Sequence, residues 1–153
     1  DIVKVAVVER HQGTGNVACG FLKGYGIKAG AVALSIAHDS HNIIVVGVSD
    51  EEMEFAVNSL IAQEGGMVLV REGKVLESMP MPIAGLMSDQ SGEWVDEKLT
   101  AIHAKAYEEL GIAGDVEPVM TLCFMSLAVI PEVKLTDMGL FDVTTFSFIP
   151  VEA

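Results

Sequence analysis

The chain has 153 residues, half of them hydrophobic and only 6% aromatic, a composition for one core of Val, Ile, Leu, Ala and Met rather than for two domains. Its 22 acidic against 9 basic residues give a formal charge of −13 with no local Lys/Arg cluster, which excludes nucleic acid and anionic membrane surfaces as natural partners. The longest oily stretch, Val119 to Ile130, is broken by Thr121 and Ser126 and falls short of the ~20 residues of a spanning helix.

In chain order, Ile2 to Val8 is rich in β-branched residues and predicts a strand that begins at once. The absence of an initial Met and of a basic-then-apolar leader suggests a piece of a longer, cytoplasmic protein. "HQGTGN" predicts a loop, and Asn16 an N-cap for a short helix over "VACGFLKGYG", with Val17, Phe21 and Leu22 on one face. Ala31 to Ala37 and Ile43 to Val48 are apolar at nearly every position, the pattern of central strands buried on both faces. Ser49 and Glu52 have capping-box spacing ahead of Met53, Ala56, Val57, Leu60 and Ile61, which predicts a helix stopped by Gly65-Gly66. Met67–Arg71 and Lys74–Met79 around Glu72-Gly73 predict a hairpin, and Pro80 and Pro82 an extended connection after it.

Val95, Leu99, Ile102 and Ala106 stripe a second helix from about Ser91 to Leu110, with Gly111 as its stop and His103 as a boundary histidine beside the stripe. "VMTLCFMSLAVIP" is expected to be helical, and the tail to carry a turn at Asp137-Met138-Gly139 and a final strand through Val143, Thr145, Ser147 and Ile149. Cys19 and Cys123 sit in apolar contexts with no metal-binding spacing, and both are expected as buried, reduced thiols. The fold class that follows is α/β or α+β: one layered domain, a mixed β-sheet packed by two or three helices, and not a barrel.

Five polar residues in a row join the two central strands: His38, Asp39, Ser40, His41 and Asn42. Two imidazoles can move protons near neutral pH, a carboxylate can orient either ring, and hydroxyl and amide groups can read a polar ligand. The same residues could instead satisfy the backbone of a turn. Gly13-Thr14-Gly15-Asn16 follows the first strand and could point N–H groups at a ligand or form a tight turn, but it is neither a P-loop nor GxGxxG. The chain contains no His-x-His, HExxH or GxSxG and so no self-contained catalytic constellation. A metal held by His38 and His41 would need further ligands from distant positions.

The stretches "ERHQGTGNVACGFLKGYGIKAGAVALSIAHDSHNIIVVGVSDEEM", "GGMVLV", "PMPIAGLMS" and "VIPEVKLTDMGLFDV" together resemble the C-terminal domain of bacterial and archaeal adenine deaminases, in order and over nearly the whole chain. The resemblance implies one domain over residues 1–153 of a metal-dependent amidohydrolase of purine salvage, which converts adenine and water to hypoxanthine and ammonia. It also implies that the manganese or iron ions sit on a preceding barrel, this chain's own N-terminal partner, and that no metal ligand lies here. On that reading His38, His41 and Asp39 are the candidate catalytic residues. Ser40, Asn42, Arg10, His11, Thr14 and Asn16 are the candidate substrate-binding residues, the two loops sharing one rim. The isolated chain is then expected to be inactive. A structural domain that packs on the barrel or forms a homo-oligomer interface, using an exposed Met79, Met81 and Met87, is the alternative.

Overall fold

The computed structural model describes residues 1–152. Its elements run β1 (Ile2–Val8), β2 (Val17–Lys23), β3 (Ala31–Leu34), β4 (Ile43–Gly47), α1 (Asp50–Ala62), β5 (Gly66–Arg71), β6 (Lys74–Pro80), α2 (Gly92–Glu108), α3 (Pro118–Cys123), β7 (Val133–Thr136), β8 (Gly139–Asp142) and β9 (Ser147–Ile149). The first six strands form one sheet in the order β2-β1-β4-β3-β5-β6, and the last three a small sheet β7-β8-β9. Every neighbouring pair is antiparallel, so the layered domain is of the α+β kind.

Strands β3 and β4 are buried at every position, because helices cover the sheet there on both sides. On one side α1 lays Met53, Ala56 and Leu60 on Ala31, Ala33, Val45 and Val68. On the other, Ile102, Ala106 and Leu110 with Val119 and Leu122 pack on Val32, Leu34, Ile44 and Leu69. Each fully buried Leu or Ile contributes about 1.5–3 kcal/mol of transfer free energy to this core. Helix α1 starts as its spacing predicts, with the Ser49 hydroxyl accepting from the Glu52 N–H, and Ser91 caps α2 in the same way.

The segment after Asn16 is a strand, not a helix. All seven residues of β2 pair with β1, from Val8 opposite Val17 to Ile2 opposite Lys23. Val17, Phe21 and Leu22 fit a helical face, but the stretch alternates equally well: Ala18, Gly20 and Leu22 turn inward, Val17, Cys19 and Phe21 outward. A ready antiparallel partner overrides local propensity there. The outward turn also leaves Cys19 exposed, against expectation, while Cys123 is buried.

The oily stretch after Glu117 is helical for only six residues, then runs through turns to Ser126 and beyond. The tail holds three strands rather than one, and Val143 to Phe146 is the turn between β8 and β9, where Asp142 accepts from Thr144 and Thr145. Met79 and Met81 pack into the core, whereas Met87 is exposed. His103 lies at the α2 boundary, its Nε2 2.5 Å from the Glu117 carboxylate.

Candidate functional site

Antiparallel order brings four connections to one end of the large sheet. Val8 ends β1 opposite Ile43, Leu34 ends β3 beside Ile44 and Met67, and Gly66 opens β5 opposite Pro80. Residues 9–16, 35–42, 63–65 and 81–90 therefore emerge side by side.

Arg10 joins three of these segments. Its Nε donates to the His41 carbonyl at 2.5 Å, a terminal guanidinium nitrogen donates to the Ala84 carbonyl at 2.8 Å, and its backbone N–H donates to Asn42 Oδ1 at 3.2 Å. Glycine is required beneath it: a Cβ on Gly85, at φ +72°, would lie 2.9 Å from the guanidinium. Among the described residues no carboxylate pairs with Arg10, so its charge rests on backbone carbonyls. His11 Nε2 meets the Ser40 carbonyl at 2.6 Å, a second link between the first loop and the histidine loop.

The first loop is built around Glu9, which the sequence reading passed over. Its carboxylate accepts from the N–H groups of His11, Gln12 and Thr14 at 2.5, 2.7 and 3.0 Å and from the Thr14 hydroxyl at 3.1 Å. The Thr14 N–H leads in holding the acid ionised, and with the others sets its pKa at about 2. Thr14 is thereby committed to its own loop, and its hydroxyl also accepts from the Asn16 N–H. Asn16 is exposed and borders a small cleft with Asp137 and Met138.

Ser35 does the same for the third and fourth segments. Its buried hydroxyl donates to the Gly85 carbonyl at 2.5 Å and accepts from the Gly66 N–H at 2.7 Å. A Cβ on Gly65 would meet Gly85 Cα at 2.6 Å, so the loops touch backbone to backbone. A Ser inside an apolar run was the available signal for this role.

The histidine loop presents its rings differently. His38 stacks on Phe124 with centroids 5.0 Å apart, and His41 meets His38 edge-on at 5.4 Å. His41 adopts φ +53°, its N–H donating to the Ala37 carbonyl at 2.6 Å, and its Nδ1 is buried without a partner. Burial first, then the neighbouring His38 and Arg10 charges, lower its pKa, so the ring is neutral at pH 7. Asn42 is buried and engaged by Arg10, while Asp39 and Ser40 are exposed.

Among the described residues no three His, Cys, Asp or Glu side chains are disposed to hold a metal ion, and two imidazoles meeting edge to face do not make a chelating pair. Among the described residues no helix is long and apolar enough to cross a membrane. The candidate site is thus a rim of proton-accepting and hydrogen-bonding groups.

The family described as adenine deaminase C-terminal domain matches residues 1–147. The chain is 74% identical to adenine deaminase 2 of Desulfotalea psychrophila over all 153 of its residues, which make up 27% of that protein. It is 53% identical to an adenine deaminase of Nitratidesulfovibrio vulgaris over 98% of the chain and 26% of the relative. It is 52% identical to adenine deaminase 2 of Carboxydothermus hydrogenoformans over 99% of the chain and 26% of the relative. The chain thus spans about a quarter of the length of these relatives, and it belongs to the adenine deaminase C-terminal domain family.

Proposed function

We infer that this domain completes the substrate pocket of an adenine deaminase whose metal-bearing barrel lies in the remaining three quarters of the polypeptide. The observation that carries the reading is the Arg10 staple, which fixes the His38–Asn42 loop and residues 82–87 against one another at one sheet end. Hydrolytic deamination needs a proton delivered to the departing amine and partners for the ring nitrogens. His41 is held neutral beside His38 and is suited to pass a proton. Asp39, Ser40 and His11 keep exposed polar atoms for the substrate, while Arg10, Asn42, Thr14 and Asn16 hold the rim in shape. The donor set here does not fit a metal, so the tasks of this chain are binding, orientation and proton handling.

Exposed Ile83 and Met87, next to the carbonyl that Arg10 holds, favour docking of this same end on the barrel. A purely structural domain would dock there too, and kinetics separate the two readings. In full-length enzyme, His41→Ala and His41→Asn, the latter suited to the positive φ, should lower kcat/KM about tenfold or more with an unchanged unfolding temperature. Wild-type kcat/KM in both variants assigns the loop to structure alone.

A further inference from the structure

The end of α3 lies along the histidine loop and presents to it a side chain with no task in the function proposed above, Phe124. Of the four imidazoles in the chain, His11 and His103 each have a ring nitrogen engaged, by the Ser40 carbonyl and the Glu117 carboxylate. The ring nitrogens of His38 have no such partner among the described residues, so packing alone orients that ring. The outer torsion of a histidine is soft, with broad, roughly two-fold wells, and a fixed backbone does not fix the ring plane. The backbone of His38 is fixed by its N–H, which donates to the Cys123 carbonyl at 3.0 Å. The plane is set by the face of Phe124, with centroids 5.0 Å apart and rings inclined by 25°. Stacking covers a face of the imidazole and leaves its edge, which bears both nitrogens, uncovered. His41 stands across His38 at 5.4 Å and 65°.

A platform must itself be rigid, and Phe124 is held from both sides. Ahead of it, the buried Tyr25 hydroxyl donates to the Pro118 carbonyl at 2.8 Å at the start of α3. The Glu117 carboxylate accepts from the Met120 N–H and meets His103 Nε2 of α2 at 2.5 Å, so the histidine beside the α2 stripe helps to fix this helix. Leu122 and Cys123 are buried in the core. Behind Phe124, the Met125 carbonyl accepts from the Leu135 N–H of β7 at 3.0 Å. The chain then runs from Ser126 to Val129 and, with Asp39, Ser40, Phe141 and Phe148, lines a cavity of about 360 Å³. The end of α3 and the histidine loop therefore run side by side beyond the one pair of rings.

We propose that Phe124 is a positioning residue: its ring sets the plane of His38, and through His38 the approach of His41, so that the two imidazoles are presented in one orientation. The catalytic consequence rests on the function proposed above; the orientation does not.

Two variants test it. Phe124→Leu keeps an apolar side chain but removes the flat face, and Phe124→Tyr keeps the face. In full-length enzyme Phe124→Leu should lower kcat about tenfold with KM within about twofold, because a misdirected ring costs the transition state and not uniform binding. Phe124→Tyr should retain wild-type kcat within about twofold. In the 153-residue chain, NMR should show the His38 ring protons shifted by the Phe124 ring current in wild type and in Phe124→Tyr. Phe124→Leu should lose that shift and the His38–His41 NOE while the amides of α1 stay native. Unmoved His38 resonances in Phe124→Leu overturn the proposal whatever the kinetics. A Phe124→Tyr variant as slow as Phe124→Leu also overturns it, since side-chain volume and not the ring would then be at work. Wild-type kcat in Phe124→Leu beside impaired His41 variants removes Phe124 and leaves the loop its role. Wild-type kcat/KM in the His41 variants removes the catalytic reading instead, and the His38 resonances then decide the orientation by themselves.

Discussion

The two ends of the six-stranded sheet are closed by different means. At the far end, the β5–β6 hairpin turns through Glu72-Gly73, both at positive φ. There the Lys28 and Ala29 N–H groups donate to the Leu110 carbonyl, and Arg71 donates to the Glu109 carbonyl from an exposed position. Apart from the hairpin turn itself, these bonds join main-chain groups or start from an exposed side chain. At the other end, Arg10, Ser35 and Asn42 commit side chains to backbone groups 31 to 74 residues away. The far end joins its segments through main-chain bonds and exposed side chains; buried and half-buried side chains are committed where separate loops must keep a fixed relation, as a binding site requires.

The sharpest way to break the contrast is Arg10→Ala. Two charge-assisted bonds to carbonyls would be lost from a half-buried position, and about 3 kcal/mol of stability should go with them, read by urea unfolding. Hydrogen exchange should quicken at His41 and Leu86 well before it does in β5. A loss below about 0.5 kcal/mol would make the staple incidental.

Ser35→Ala should cost about 2 kcal/mol, because the buried Gly66 N–H and Gly85 carbonyl lose their shared partner. The same unfolding assay checks it, and an unchanged midpoint would mean that the fourth segment is held by packing alone.

Acid sharpens the comparison without mutation. Glu9, at about 2 when folded against an ordinary 4.5, gives its loop stability that is present above pH 4.5 and lost as pH falls through about 2. His41 has the opposite charge logic: its lowered pKa means that the folded state resists protonation, so its neighbourhood weakens as pH drops below the ordinary 6.5. Amide shifts of Gln12 and Thr14, held by the Glu9 carboxylate, should therefore stay native through pH 5 while those around His41 begin to move. Simultaneous movement of both loops would contradict the separate anchoring.

The smallest effect belongs to the far end. Arg71→Ala removes an exposed bond and should change stability by less than about 0.5 kcal/mol, leaving amide exchange at the site end untouched. A larger loss would erase the difference between the ends.

Much of the scaffold was legible in the chain because its signals are local. Continuous apolar runs marked β3 and β4, the Ser49–Glu52 spacing marked the start of α1, and the Glu72-Gly73 pair marked the hairpin. The polar rim was legible as well, since five polar residues between two buried strands stand out in any reading. The failures share one cause. β2 fits a helix and a strand equally, and the choice rested on β1 lying alongside. Cys19 turned outward, and Met79 and Met81 inward, because of which face of a strand a helix covers.

What the sequence by itself determined is the set of elements whose hydrogen bonds close within a few residues, and the acidic surface and polar loop that limit the ligands. Only the tertiary structure decided that Arg10 and Ser35 are the anchors of the rim, that β2 is a strand, and that Ser126, Asp39 and two Phe rings line one cavity. Those relations depend on partners tens of residues away, and a pattern confined to one segment carries no record of the distance at which its groups will meet.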